Sequence, residues 1–485
     1  MWSPELGNGT VLINGTWLPA DCGATFPSRN PATSVEIGPV SDAGTTETEA
    51  AIAAAAAAAD SWAATTPYQR AAILLDAHRL MTERAEDLAV LMTTEQGKPL
   101  RAARNEVRYA ADFLQWFGEE AKRVYGSTIP SARADQRFIT MHQPVGVVAA
   151  ITPWNYPISM ITRKVGPALA AGCPVILKPA EQTPLCAVAV FQLLAEAGVP
   201  AGVISLLTTS DPVPVGQVLL ASKAVRKLTF TGSTDVGKAL AAQAAGTVKR
   251  VSLELGGHAP FVVFDDADPV HAAKGAALVK FLNTGQACIS PNRIFVQRGI
   301  YPEFARVLTE RVSTLRAGNG AEAAVSIGPL IDEPALAKME RHTQDAVAKG
   351  ARLLAGGQRL TGQEFDRGMF FAPTVLSDVT PEMVIYREET FGPIAALTPF
   401  DDEKEVIEMA NDTAYGLASY VYTRDLSRAI RVCEALRFAI VGVNDINPTS
   451  AAAPFGGTKE SGLGREGGRE GIAEYLDTKL VGISL

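Results

Sequence analysis

From about residue 145 the sequence alternates short apolar runs with helical segments. VGVVAAI, CPVILK, VISLLT, KLTFTG, RVSLEL and PFVVF follow one another, with VGVVAAI, CPVILK and PFVVF apolar on consecutive residues. Runs of that kind suit strands covered on both faces, and the helical stretches between them are the crossovers a parallel sheet requires. An α/β chain with a doubly wound sheet is therefore expected. A second alternating block runs from about 256 to 440. Residues 44–124 instead place apolar residues at helical spacing, in EAAIAAAAAAADSWAA and QRAAILLDAHRLMTERAEDLAVLM. Glu47 and Glu49 stand where the positive end of the first helix would lie, so the alanine run reads as an ordered helix.

At 485 residues the chain exceeds one simple core, and two or three domains are expected. A content of 47% hydrophobic and 20% charged residues is that of a globular protein. The net charge of −8 comes without any basic block, so neither nucleic acid nor an anionic membrane surface is an expected partner. Apolar stretches are interrupted by Gly, Pro or Lys before they reach spanning length, and the first twenty residues lack a basic segment followed by an apolar run. Neither a membrane span nor a secretory signal is expected, and the cytoplasm is the expected compartment. The five cysteines are odd in number, scattered and without a CxxC pair. That pattern argues against a disulfide framework or a metal site.

Four further stretches and one cysteine carry candidate chemistry. NTGQACISPNR sets Cys288 on a glycine-containing turn between the apolar AAKGAALVKFL and the strand-like IFVQ, a placement suited to a nucleophile; a small core hydrophobe would give the same letter. RVSLELGGHAP ends an apolar strand on Glu254, just before Leu255 and the pair Gly256–Gly257, where the backbone is free to turn sharply. Burial there would raise its pKa toward the range of a general base, although a satisfied core glutamate is the competing reading. ITPWNYPISMITRKVGPAL offers Asn155, a neutral amide donor able to hold an oxyanion. KLTFTGSTDVG leads a strand through Gly232 and Ser233 into a helix start, where free N–H groups and the helix dipole attract phosphate. It is not a GxGxxG fingerprint, and an ordinary strand-to-helix turn reads the same way. VILKPAEQTP places Lys178 and Glu181 past another strand end, where a carboxylate can bind a ribose 2′-hydroxyl and repel a 2′-phosphate. Cys173 enters a buried strand and reads as packing.

Taken together, these motifs closely resemble the aldehyde dehydrogenase superfamily. The likeness rests on PWNYP (153–157), FTGS (230–233), LELGG (253–257), GQACISPNR (285–293), EETFGP (388–393) and PFGGTKESGLGRE (454–466), in the family's order and spacing. The resemblance implies an NAD-binding domain of modified Rossmann type (1–124 and 146–253), an α/β catalytic domain (254–440), a small β oligomerisation flap (125–145 and 467–485), and a substrate-tunnel and bridging segment (441–466). It also implies a homodimer or homotetramer and no metal.

The same resemblance implies the roles. Cys288 attacks the aldehyde carbon, Asn155 and the Cys288 N–H hold the alkoxide, and Glu254 activates the water that hydrolyses the thioester. Trp154, Lys178, Glu181, Gly232, Ser233, Leu255, Glu389 and Phe391 surround the cofactor; NAD is expected, with NADP less favoured because of Glu181. Glu466 matches a position proposed to relay protons. Within the superfamily the likeness is greatest to succinate-semialdehyde dehydrogenases, which hold the far carboxylate with two arginines and a hydroxyl. Arg163 matches one arginine, Thr449 can supply the hydroxyl, and the second arginine is Leu282 here; Tyr156 and Phe455 would line the tunnel. A small anionic aldehyde is expected, succinate semialdehyde or another short semialdehyde, or 3-sulfolactaldehyde, with a neutral aldehyde as the alternative. A binding protein without activity would be expected to lose Cys288 or Glu254, and an acylating enzyme to lack Glu254; both residues are present.

Overall fold

The computed structural model describes residue 4 and residues 7–485. Its largest sheet has eight strands, in the order Gly462–Leu463, Arg250–Glu254, Val225–Thr231, Val147–Ile151, Val175–Lys178, Ile204–Leu206, Val11–Ile13 and Thr16–Leu18. The five in the middle are mutually parallel, and the outer ones are antiparallel. Their burial is nearly complete on both faces, as consecutive apolar residues require.

Chain order explains where a ligand site can form. The sheet grows from Val147–Ile151 toward Val175–Lys178 and Ile204–Leu206, then returns to add Val225–Thr231 and Arg250–Glu254 on the other side. The order thus reverses between Val147–Ile151 and Val225–Thr231, and crossover connections leave a crevice at the carboxyl ends of two such strands. Trp154 and Asn155 follow the first of these strands, and Gly232 and Ser233 follow the second.

The run PFVVF, read with the first block, belongs to another sheet. After Glu254 the chain leaves the first sheet, and Ala259–Val263 becomes an interior strand of a seven-stranded sheet. That sheet runs Arg352–Ala355, Thr374–Ser377, Ile394–Phe400, Pro291–Gln297, Ala259–Val263, Ala418–Tyr422, Ile440–Val443, with only the first strand antiparallel. A three-stranded antiparallel sheet joins Ser127–Ile129, Gln136–Pro144 and Leu476–Ser484. Between Ile440–Val443 and Gly462–Leu463 the chain crosses from the second sheet back to the first.

The helices fall where helical spacing predicts them, at Thr45–Ala63, Pro67–Glu83, Ala85–Gln96 and Leu100–Glu120. Glu47 does more than complement the dipole: its carboxylate accepts the N–H groups of Gly44 (2.7 Å) and Asp21 (2.6 Å). Among the described residues no helix is long and apolar enough to cross a membrane.

Candidate active site

Cys288 lies in the loop between the helix Pro269–Lys280 and the strand Pro291–Gln297. Just ahead of it three successive residues, Asn283, Thr284 and Gly285, take left-handed backbone angles (φ 50°, 60° and 76°). Two of them carry side chains, so the turn stores strain that the surroundings must hold. They do: Gln286 accepts the Ile331 N–H (3.0 Å), Asn283 donates to the Asn155 carbonyl (2.9 Å), and a Cβ on Gly285 would stand 2.2 Å from the Gly392 carbonyl oxygen. Among the described residues the Cys288 N–H donates to no acceptor.

Glu254 ends its strand buried, and among the described residues its carboxyl oxygens have no hydrogen-bond partner beyond a marginal contact with the Cys288 thiol. An uncommitted buried carboxyl costs free energy, which makes it a functional candidate rather than a satisfied core residue. Burial raises its pKa, opposed by the positive charge of Arg163. Burial, and then the negative charge of Glu254, push the Cys288 thiol well above its usual range, so the two groups are electrostatically coupled. The glycines after Glu254 act differently from the sharp turn read from sequence. Neither has a positive φ; instead a Cβ on Gly257 would stand 2.2 Å from the Cys288 carbonyl oxygen, and one on Gly256 2.9 Å from Glu389 Oε2. Close approach of two loops is what demands glycine here. Ser461 pins the same turn, its hydroxyl donating to the Gly256 carbonyl (2.7 Å) and its carbonyl accepting the Leu255 N–H (3.0 Å).

Asn155 is buried, and its Nδ2 donates to the Gln286 carbonyl (3.1 Å). Its own carbonyl accepts Lys98 Nζ (2.7 Å), and Lys98 in turn closes on Glu106. Glu106 also accepts the N–H groups of Ile158 and Ser159 (3.1 and 3.2 Å). This fully buried pair locks the segment that carries Asn155. Nothing in the sequence reading singled it out, because a lysine and a glutamate eight residues apart look like solvated charges until folding buries both.

At the sheet's switch point, Ser233 caps the helix Thr234–Ala245 without using its hydroxyl on the helix. The ring of Trp154 meets Phe391 edge-on at 5.6 Å, with Phe391 itself held at φ 52°. Glu389 accepts the Gly257 N–H (2.8 Å), and burial pushes its pKa up to about 7. Leu255 is buried against Gly237 of the helix Thr234–Ala245. Lys178 and Glu181 pair at 2.9 Å, with Lys178 buried and Glu181 the more exposed partner. A free helix N-terminus and an uncommitted hydroxyl at the switch point, with a half-buried carboxylate past the neighbouring strand Val175–Lys178, fit a dinucleotide in chemistry.

A cavity of about 560 Å³ opens at Cys288. Arg163, Tyr156, Phe455, Thr449 and Leu282, scattered in sequence from Tyr156 to Phe455, all line it. Arg163 is buried, stacks on the Phe455 ring (4.1 Å) and pairs with Glu466 (2.8 Å), which Lys164 also contacts. The assignment of Glu466 as a proton relay does not suit this placement. Burial alone would raise its pKa, but Lys164 and Arg163 outweigh that and hold it below the usual carboxylate range. Between two cations it is a poor proton carrier.

The comparisons with known proteins decide the family. The family model described as "Aldehyde dehydrogenase family" matches residues 17–481. The chain belongs to the aldehyde dehydrogenase family. It is 53% identical over 481 residues to a glutarate-semialdehyde dehydrogenase of Pseudomonas putida, covering 99% of each chain. To the NADP(+) succinate-semialdehyde dehydrogenase GabD of Escherichia coli it is 53% identical over 98% of each chain. The crystal structure of succinate-semialdehyde dehydrogenase from Burkholderia pseudomallei superposes with a TM-score of 0.97 at 49% identity, covering 100% of each chain. The aldehyde dehydrogenase fold expected from the motifs is thus shown, and so is the oxidoreductase class.

Proposed function

We propose that this aldehyde dehydrogenase oxidises a short anionic aldehyde to its carboxylate through a thioester on Cys288. The observation that carries the reading is a cavity that opens at Cys288 and is walled by Arg101, Arg163 and Thr449, with Glu254 coupled to the Cys288 thiol and Asn155 bonded to the Gln286 carbonyl two residues ahead of it. Cys288 Sγ, deprotonated, attacks the aldehyde carbon. The alkoxide takes hydrogen bonds from the free Cys288 N–H and from Asn155 Nδ2, which gives up the Gln286 carbonyl to do so. When bound, the dinucleotide supplies the hydride acceptor. Loss of hydride leaves a thioester on Cys288. Glu254, whose oxygens have no other partner, takes a proton from water, and the resulting hydroxide attacks the thioester carbon and releases the carboxylate and the thiol.

The anionic tail is supported by the names of the relatives, which include glutarate-semialdehyde, succinate-semialdehyde and 3-sulfolactaldehyde dehydrogenases. For the cofactor we propose NAD over NADP, because the more exposed partner of the Lys178–Glu181 pair, facing an incoming ribose, is the carboxylate. NADP is the second reading: Lys178 already neutralises much of that charge, and the Escherichia coli relative is named for NADP(+). We also assign the three-stranded sheet, with Ile129, Met141, Leu480 and Ile483 exposed, to self-association as a homodimer or homotetramer in the cytoplasm. Purified protein mixed with NAD or NADP and matched anionic and neutral aldehydes, followed at the reduced-nicotinamide absorbance band, tests the reading. Preferential turnover of the anionic members with NAD is expected; equal turnover of neutral aldehydes of the same length would overturn the anionic substrate.

A further inference from the structure

Three basic side chains line the cavity at Cys288: Lys98, Arg101 and Arg163. Two already have a carboxylate. Lys98 is buried on Glu106, and Arg163 is buried on Glu466. A cation neutralised inside the protein offers an incoming anion little net attraction, since each unit of charge it could supply is already matched. Arg101 differs from both. It sits in the first turn of the helix Leu100–Glu120, is exposed, and among the described residues its side chain has neither an ion pair nor a hydrogen-bond partner.

Its position follows from helix geometry. Arg101, Asn105 and Tyr109 repeat every four residues, so they form one row on the helix face that lines the cavity. Tyr109 is close enough to feel the charge of Arg163, whereas Arg101 lies about 12 Å further along the helix. Tyr109 is half-buried and Arg101 exposed, so the row runs from the interior to the open end. Two exposed leucines also line the cavity, Leu278 on the helix Pro269–Lys280 and Leu282 just beyond its end, at 49% and 41% exposure. The exposed part of the lining therefore joins a single uncommitted cation to two leucines and the amides of Asn105 and Asn447.

We propose that Arg101 is a residue that selects anionic aldehydes, its unpaired charge drawing their carboxylate or sulfonate into the exposed mouth of the cavity. Its guanidinium offers paired N–H donors that fit such a group two at a time. This supplies from the helix Leu100–Glu120 the charge that Leu282 lacks. The proposal rests on the reading of the chain as an oxidiser of anionic aldehydes, and the experiment separates the two.

Specificity constants for succinate semialdehyde and for butanal, of equal length, are measured for the wild type, Arg101→Leu, and Arg101→Leu combined with Leu282→Arg. The wild type should favour the anion. In Arg101→Leu the anion-to-butanal ratio should fall about tenfold, the worth of one charge-assisted contact at a partly exposed site, and the loss should sit in KM rather than kcat. Adding Leu282→Arg should restore part of the ratio by returning a cation to the same rim. A wild type that favours the anion together with an unchanged ratio in Arg101→Leu overturns the assignment of Arg101 alone. A wild type with no preference for the anion overturns the anionic substrate itself. Because Arg101 is exposed and unpaired, its replacement leaves the fold intact, and circular dichroism of the variants checks this.

Discussion

Arg163 donates its Nε–H to Oε2 of Glu466 at 3.0 Å, across 303 positions of sequence. The bond ties the helix Ser159–Ala171 of the first sheet's layer to the segment that returns from the second sheet. A residue expected to hold substrate is thus also a buried strut between two parts of the chain.

Removing that strut should cost stability. Arg163→Ala leaves Glu466 buried with Lys164 as its only cation and empties the space over the Phe455 ring. A loss of about 3 kcal/mol is expected, on the scale of breaking a buried ion pair, and urea denaturation reads it directly. Because the folded-state pKa of Glu466 is lowered from 4.5, its wild-type contribution is complete above that pH and is lost as pH falls through the folded value. Unaltered stability of Arg163→Ala would mean that Lys164 alone satisfies the carboxylate.

Cys288→Ala should abolish dehydrogenase turnover while leaving dinucleotide binding, because Ser233, Glu181 and the Trp154–Phe391 contact lie on other elements. Calorimetry with NAD, set beside the turnover assay, separates the two effects. Appreciable turnover would sink the thioester route.

Glu254→Gln keeps shape but removes the proton acceptor, so hydrolysis should slow far more than acylation. A burst of reduced nicotinamide near one equivalent per site, then slow turnover, is the expected trace. The wild-type rate should fall as pH falls, over a limb above the ordinary carboxylate range, since burial raises the pKa of Glu254 and that of Cys288 and both must lose protons to act. A pH-independent rate from pH 5 to 9 would exclude Glu254 as the base.

Gly257→Ala places a methyl group 2.2 Å from the Cys288 carbonyl oxygen. Backbone must move, at about 1–3 kcal/mol of overpacking strain, and the nucleophile's loop moves with it. We expect a lowered melting temperature together with a lowered kcat. An enzyme that loses stability but keeps its full kcat would show that the loop yields without displacing the thiol.

Glu181→Ser should narrow a preference for NAD over NADP, by removing the carboxylate and freeing Lys178 for a 2′-phosphate. The ratio of specificity constants for the two cofactors is the measurement. A wild type that uses both equally would show that the ion pair presents no net charge to the ribose.

Much of this protein could be read in one dimension. Consecutive apolar residues in VGVVAAI or CPVILK suit strands covered on both faces, and periodic ones in QRAAILLDAHRLM suit helices, because the two backbones repeat differently. Those local signals carried the element types and the α/β class, and the motif order carried the family. Tertiary structure alone decided which strands share a sheet: only four residues separate PFVVF from RVSLEL, yet it lies in the other one, because Gly256 and Gly257 let the chain pass against the Cys288 loop. It also decided which charges are available. Lys98, Arg101 and Arg163 are alike as letters, and Glu106 and Glu466 are as unremarkable as any surface glutamate. Only folding buries two of the cations on those carboxylates and leaves the third exposed, since electrostatic pairing depends on distance in space and on the removal of water, neither of which is written in the order of residues.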